Sequence, residues 1–310
     1  MRADASRDLE SAQLEFQEQL VAAGLLIRTG VPGIYARNGV FEGVVDRLEA
    51  LIGREGAWQQ PEVLRFPPLF ARAHYARMDH IYNFPDQLGA VHVFDGGDAG
   101  HRAMLDDFEA GADWGGHLHG SDAMLVPAAC YPLYPTASGV LPARGRIVDL
   151  ETSVFRHEPS DDPARMQVFR QREFVCLGSA EQAFEHREHW LVAGRRLLES
   201  LRLPVAAALA NDPFFGRGGK VMKAAQREQS LKYELLVPIC SEAAPTAVTS
   251  CNCHLDHFGR AFDIRCADGA VAHSACVGFG IERIALALLK HHGLDPARWP
   301  RAVRERLQLA

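Results

Sequence analysis

The sequence contains no run of about 18 consecutive apolar residues, so no membrane-spanning helix is expected. Its first ten residues, MRADASRDLE, carry no apolar core of a secretory signal. There is no C-x-x-C pair. The seven cysteines, at 130, 176, 240, 251, 253, 266 and 276, are odd in number and scattered. That pattern excludes a disulfide framework and points to a reducing, cytoplasmic setting. Basic charge is not in excess either. The net charge is -6, which is not the footprint of a nucleic-acid-binding chain. Internal repeats and low-complexity segments are absent. What remains is a 310-residue chain, 47% hydrophobic and 23% charged, with the composition of a soluble globular protein. That length allows one large or two modest domains with ample core.

The most informative stretch runs from Thr152 to Val175. Val154 and Phe155 are strand formers, Glu158-Pro-Ser-Asp-Asp-Pro163 is dense in turn residues, and Val168 to Val175 returns as a second strand. Arg156, Arg165 and Arg170, with Glu158, flank the turn. Guanidinium forks suit phosphate oxygens, so the hairpin reads either as a polyphosphate clamp or as a solvated hairpin with surface ion pairs.

Elsewhere, apolar spacing predicts a helix over Leu9 to Ile27, ending near Gly30, and an amphipathic helix over Phe41 to Ile52. Pro61 to Phe70 reads as extended. His74, His80, His92 and His101 show no ligand spacing and read as surface or loop residues. Cys251-Asn-Cys253-His254 lacks a second metal-binding pair and reads as a strand with alternating faces. Ser179 to Leu203 and Lys220 to Leu231 read as helical, forming an insert over about 179–232. Between Arg195 and Arg227 seven basic residues stand against two acidic ones. Such asymmetry fits either a solvated helix face or a docking patch for an acidic partner.

Phe155-Arg156-His157-Glu158, then Arg165-Met166 and Phe169-Arg170-Gln171-Arg172-Glu173, resembles motif 2 of class II aminoacyl-tRNA synthetases, closest to the seryl branch. Gly278-Phe-Gly-Ile-Glu-Arg283 resembles motif 3, and the helix and strand before Pro67-Pro68 resemble the dimer-forming motif 1. Lys232-Tyr-Glu-Leu235 and Ala247-Val-Thr-Ser-Cys-Asn252 resemble two further seryl-type segments. Leu125-Val-Pro-Ala-Ala-Cys130 is similar to a segment L-I-P-T-A-E, but Ala128 and Cys130 replace its substrate-gripping threonine and glutamate. Cys130, Glu173 and Cys276, 43 and 103 positions apart, form no local metal motif. They do resemble the zinc ligands of atypical seryl-tRNA synthetases and of their truncated relatives, the amino acid:[carrier protein] ligases.

This resemblance implies an α+β fold: one class II synthetase-like domain over 1–310, an antiparallel sheet flanked by helices, working as a homodimer. It implies ATP with Mg²⁺ bound by Arg156, Glu158, Arg165, Met166, Phe169, Ala247, Val248, Thr249, Ser250 and Arg283. Among these, Arg156, Glu158 and Arg283 would carry catalysis. Arg156 would neutralise the α-phosphate, and Glu158 would hold the adenine or its amine. Arg283 would contact the γ-phosphate and, with Phe169, sandwich the adenine. The family's leading glutamate, a metal-linked ATP contact, is Ala247 here. Glu173 and Ala247 would meet the amino acid. One Zn²⁺ per subunit would sit on Cys130, Glu173 and Cys276, leaving a fourth position for the substrate amine.

The expected reaction is adenylation of a small amino acid, glycine or alanine, and transfer to the phosphopantetheine thiol of an acidic acyl carrier protein. About sixty residues precede the first core strand and no sustained heptads appear, so no tRNA partner is expected. Two alternatives remain: a zinc-dependent seryl-type core that charges tRNA, and a non-catalytic paralogue acting as a binding module.

Overall fold

The computed structural model describes residues 2–210 and 230–309, and within them apolar periodicity becomes packing. The first helix spans Arg2–Ala22. It ends earlier than its apolar spacing predicts because Gly24 takes φ +68°, and Gly24 N–H and Leu25 N–H cap the carbonyls of Val21 and Leu20. Leu25 and Leu26 are buried regardless, Leu26 in strand β1 (Leu26–Arg28), which pairs with β2 (Tyr35–Arg37). The second helix, Gly39–Gly56, is capped by Asn38, whose side chain accepts from the Val40 and Phe41 amides. The expected extended segment contains β3 (Glu62–Arg65) and β4 (Leu69–Ala71).

β4 joins β5 (Ala90–Val93) and β6 (His119–Leu125) in a three-stranded sheet. The short strand β7 (Gly139–Val140) pairs in parallel with residues 264–265. The main hairpin is β8 (Arg146–Phe155) and β9 (Val168–Gly178), antiparallel over ten residue pairs, as the turn chemistry of 158–163 predicts. β10 (Ala206–Leu209), β11 (Lys232–Val237), β12 (Thr246–Leu255), β13 (Ile264–Arg265) and β14 (His273–Gly280) follow. The principal sheet has seven strands in the order β10-β11-β12-β14-β9-β8-β3. All its pairings are antiparallel except β3 with β8.

Strand alternation gives this sheet two chemically distinct faces. On one, Phe174 stacks on Trp190 at 4.6 Å, Phe279 meets Trp190 at 5.8 Å, and Arg172 reaches the Glu49 carbonyl. Helices Gly39–Gly56, Ala180–Ser200 and Ile281–His292 cover it. Gly56 permits the closest approach, since a Cβ there would fall 2.1 Å from the Phe174 ring. Buried side chains such as Leu48, Trp190 and Leu286 each contribute about 1.5–3 kcal/mol. The opposite face, bearing Phe169, Gln171 and Glu173 from β9 and Cys276 and Gly278 from β14, opens into a cavity.

The segment 179–232 departs from the expected helical insert. Only Ala180–Ser200 is helical among its described residues, with a Ser179/Gln182 capping box, and that helix packs on the principal sheet. Ala206–Leu209 is the sheet's edge strand, where a short alanine-rich run pairs with β11. The expected second helix, Lys220 to Leu231, lies largely outside the described residues, as do Arg217, Lys220, Lys223 and Arg227.

Candidate active site

The cavity on the open face measures about 1080 Å³, roomy for a nucleotide and a second small substrate. Its floor is built from parity. Register puts Glu173 opposite Gly278, Gly278 opposite Ser250, and Ser250 opposite Glu234, while Cys276 faces Asn252 and Asn252 faces Lys232. These side chains therefore share one surface.

At one end, Cys130, Glu173 and Cys276 converge, their ligand atoms all within 4.8 Å of one another and all three residues buried. Cys130 comes from the loop after β6. Gln171 fastens that loop to β9 by accepting the Ala129 amide at 3.1 Å. Burial raises the Glu173 carboxyl above the ordinary carboxylate range, and Glu173 Oε2 is buried with no hydrogen-bond partner. The Cys130 thiol is pushed up by hydrogen bonding with Cys276, then by burial and by Glu173. Two thiols and an orphaned carboxylate oxygen, packed without a cation, are a set that cannot hold its charge alone. A divalent ion with bonds of about 2.3 Å to sulfur would set its ligands roughly 3.5 Å apart, within reach of small rotamer changes. The donor set fits a soft, tetrahedral cation.

At the other end, two guanidinium groups approach the Phe169 ring, Arg156 at 5.5 Å and Arg283 at 5.9 Å from its centroid. Arg156 Nε donates to the Pro127 carbonyl. Arg283 is held by the carbonyls of Ala164 and Ala247, at 2.8 and 2.9 Å. Burial first, then Arg156 and Arg165, lowers its pKa to about 10, so it stays a cation at neutral pH. Glu158 accepts from Gln87 Nε2 at 2.8 Å and faces Arg165 at 3.8 Å. Val248, Ser250 and Ala247 line the same cavity.

Four residues are placed differently from the sequence expectation. Arg170 does not flank a phosphate site: it lies on the helix-covered face, bound to Glu42 and Glu282. Met166 is buried in the core and does not line the cavity. Thr249 borders the cavity, but alternation turns its side chain toward the face of Leu235 and Phe279, with Oγ1 buried and unbonded. His80, expected from the sequence at the surface or in a loop, is buried instead. It is 5% exposed, lines the cavity, and contacts the Tyr131 hydroxyl. Burial, reinforced by Arg156, lowers its pKa to about 4, leaving a neutral imidazole. Gln87 and Gln171 line the cavity, and Tyr134 reaches the Cys130 thiol, without any of the three being expected from the sequence. The alternation Phe169, Gln171, Glu173 was the signal for Gln171, whereas nothing local marks Gln87 or His80. Cys251 and Cys253 are buried and Asn252 and His254 half-buried, the alternation expected of a strand, although Cys253 also reaches the cavity edge where the strand bulges.

No protein-family model matches the chain. It is 45% identical over 294 residues to amino acid--[acyl-carrier-protein] ligase 2 of Bradyrhizobium diazoefficiens, covering 94% of this chain and 87% of that protein. Ligase 1 of the same organism is 42% identical, with 90% and 86% covered. A type-2 serine--tRNA ligase of Methanopyrus kandleri is 29% identical over 198 residues, 59% of this chain and 37% of that one. Among solved structures, M. kandleri SerRS in complex with A. aeolicus tRNASec superposes with a TM-score of 0.81 at 23% identity, over 94% of this chain and 60% of that chain. Seryl-tRNA synthetase of Pyrococcus horikoshii, complexed with ATP, gives 0.69 at 15% identity, over 95% of this chain and 62% of that one. The fold is that of a class II aminoacyl-tRNA synthetase core, and the chain belongs to the amino acid--[acyl-carrier-protein] ligase family.

Proposed function

We propose that the protein activates a small amino acid, glycine or alanine, with ATP and loads it on the phosphopantetheine thiol of an acidic acyl carrier protein. The observation that carries this reading is the convergence of Cys130, Glu173 and Cys276 on the same cavity floor as the Arg156/Phe169/Arg283 cluster. In the first step a carboxylate oxygen of the amino acid bonds to the α-phosphorus of ATP. The α–β anhydride bond breaks and pyrophosphate leaves with its Mg²⁺. In the second step the thiol sulfur bonds to the carbonyl carbon, the bond to AMP breaks, and the thiol proton passes to the AMP phosphate or to solvent.

Zn²⁺ on Cys130, Glu173 and Cys276, one per subunit, would act as a Lewis acid that fixes the substrate amine at its open position. Arg156 neutralises charge on the α-phosphate, an effect realised as the transition state develops. Phe169 and Arg283 close on the adenine. A ring between them needs roughly 7 Å, twice a contact distance, so the pair parts by about 1 Å when it enters. Gln87 orients Glu158 toward the adenine amine, and Arg165, exposed at the rim, reaches the outer phosphates. Ser250 and the backbone of Ala247, Val248 and Thr249 form the wall.

The acceptor reading is supported by the relatives at 45% and 42% identity, both amino acid--[acyl-carrier-protein] ligases. Arg195, Arg196 and Arg202, with Glu199 as the one acid among them, leave the C-terminal end of the helix Ala180–Ser200 locally basic, in keeping with an acidic carrier. A homodimer through the β3 edge is consistent with exposed Val63 and Trp58, each 60% accessible. Glycine- or alanine-dependent ATP–pyrophosphate exchange, followed by loading of a holo-carrier protein and of bulk tRNA in parallel, tests the function. Aminoacyl thioester on the carrier and no ester on tRNA is expected. Label on tRNA alone would reject it.

A further inference from the structure

The sulfur of Cys276 has nitrogen neighbours from β12. Asn252 Nδ2 lies 3.5 Å away and His254 Nε2 3.6 Å away, both within the range of N–H···S bonds. His254 is held from its other side as well: Nδ1 lies 3.0 Å from the Ser274 hydroxyl and 3.5 Å from the Tyr134 hydroxyl. Its ring packs edge-on against Phe258 at 5.1 Å, and Phe258 stacks on Tyr134 at 3.8 Å. The backbone is shaped to deliver it. The β12–β14 register slips between Cys253 and Leu255, and Leu255, not a glycine, takes φ +52°. Bulges of this kind re-aim side chains beside functional sites.

We infer that His254 is a positioning residue of the metal centre, donating Nε2–H to the Cys276 thiolate from outside the coordination shell. This rests on reading Cys130, Glu173 and Cys276 as a zinc site. Two hydroxyls face Nδ1, and with Ser274 donating to it, the ring proton falls on Nε2, toward sulfur. His254 is not itself a member of the group whose ligand atoms all lie within 4.8 Å of one another. It therefore stands behind the sulfur and leaves the fourth position to the substrate amine. A hydrogen bond to a thiolate withdraws electron density from it. The bound metal then keeps more of its positive charge for the amine, and the sulfur is fixed in one rotamer.

The test uses the full-length protein and its His254→Phe and His254→Gln variants, with melting curves to verify folding. Zn²⁺ affinity is measured by chelator competition, and the sulfur-to-metal charge-transfer band is read after Co²⁺ substitution. His254→Phe keeps the ring packing and removes the donor. It is expected to weaken Zn²⁺ binding about 10- to 100-fold and to move the band to lower energy. His254→Gln, which retains an N–H, should recover part of both. Unchanged affinity and band position in a folded His254→Phe protein would overturn the inference. So would zinc-edge absorption showing an imidazole nitrogen bound in the wild type. If the wild type binds no metal, the zinc reading falls and this inference falls with it; a metal-binding wild type beside an indifferent His254→Phe removes the inference alone.

Discussion

Replacing Arg170 with methionine separates scaffold from site within a single motif. Its guanidinium donates to Glu282 at 2.8 Å and to both oxygens of Glu42 at 2.7 and 3.0 Å. Glu42 is about one-third exposed and regains water when the arginine is lost, but Glu282 is 1% exposed and cannot. In the variant Glu282 keeps the backbone amide of position 170 and an Arg37 guanidinium at 3.6 Å. Removing one partner of a buried ion pair costs about 3–5 kcal/mol, and the surviving Arg37 contact sets the expectation near 3. At about 2–3 °C per kcal/mol for a chain of this size, the melting midpoint should fall by about 6–9 °C. Urea unfolding followed by circular dichroism measures the loss. Adding Glu282→Gln should recover part of it, because the stranded charge is then gone. The apparent affinity for ATP should be unchanged in the folded variant. A stability change below about 1 kcal/mol, or a large ATP defect with normal stability, would refute this assignment and return Arg170 to the phosphate site.

Arg156→Ala should show the converse: pyrophosphate exchange slowed about 10²- to 10³-fold with little shift in melting, measured on the same preparations. Gln87→Ala removes the hydrogen bond that orients Glu158, and the KM for ATP should rise roughly tenfold, since bonds to charged groups contribute about 1.5–3 kcal/mol. Glu49 gives a pH signature. Burial, then the neighbouring Glu151 carboxylate, raises its folded pKa from 4.5 to about 7. The folded state thus holds a proton that the unfolded state has released, and this group makes stability fall as pH rises from about 4.5 to about 7. Glu49→Gln should flatten that slope and stabilise the protein at pH 8 by on the order of 1 kcal/mol, given that the side chain is only half-buried. Denaturation midpoints at pH 5 and pH 8 check it.

The hairpin, the second helix and the motif 3 turn were legible because each rests on local chemistry: turn residues between strand formers, apolar spacing, and glycines before an arginine. Strand parity also carried the Cys251–His254 stretch. Position within a strand is less visible than the strand itself. Thr249 and Ser250 are adjacent and look alike, yet pleating sends them to opposite faces, and Arg170 falls one step out of phase with Phe169. The first helix was read too long because Leu25 and Leu26 continue its apolar spacing, while the Gly24 conformation that ends it leaves only a glycine in the sequence. Ala206–Leu209 looks helical by composition and is a strand only because β11 offers an edge. His80 and Gln87 come from a stretch with no periodic signal, and tertiary contact with Tyr131 and Glu158 alone gives them their place. The Cys130/Glu173/Cys276 set was reachable through family resemblance and not through spacing, since its members meet only when a loop folds over two strands.

The central claim is tested most directly by the metal content of the purified protein, measured together with amino-acid-dependent pyrophosphate exchange, in the wild type and in Cys130→Ser. About one zinc per chain is expected in the wild type, and loss of both zinc and exchange in the variant, by tenfold or more. A wild type without zinc that still exchanges, or a Cys130→Ser protein with both properties intact, would contradict it.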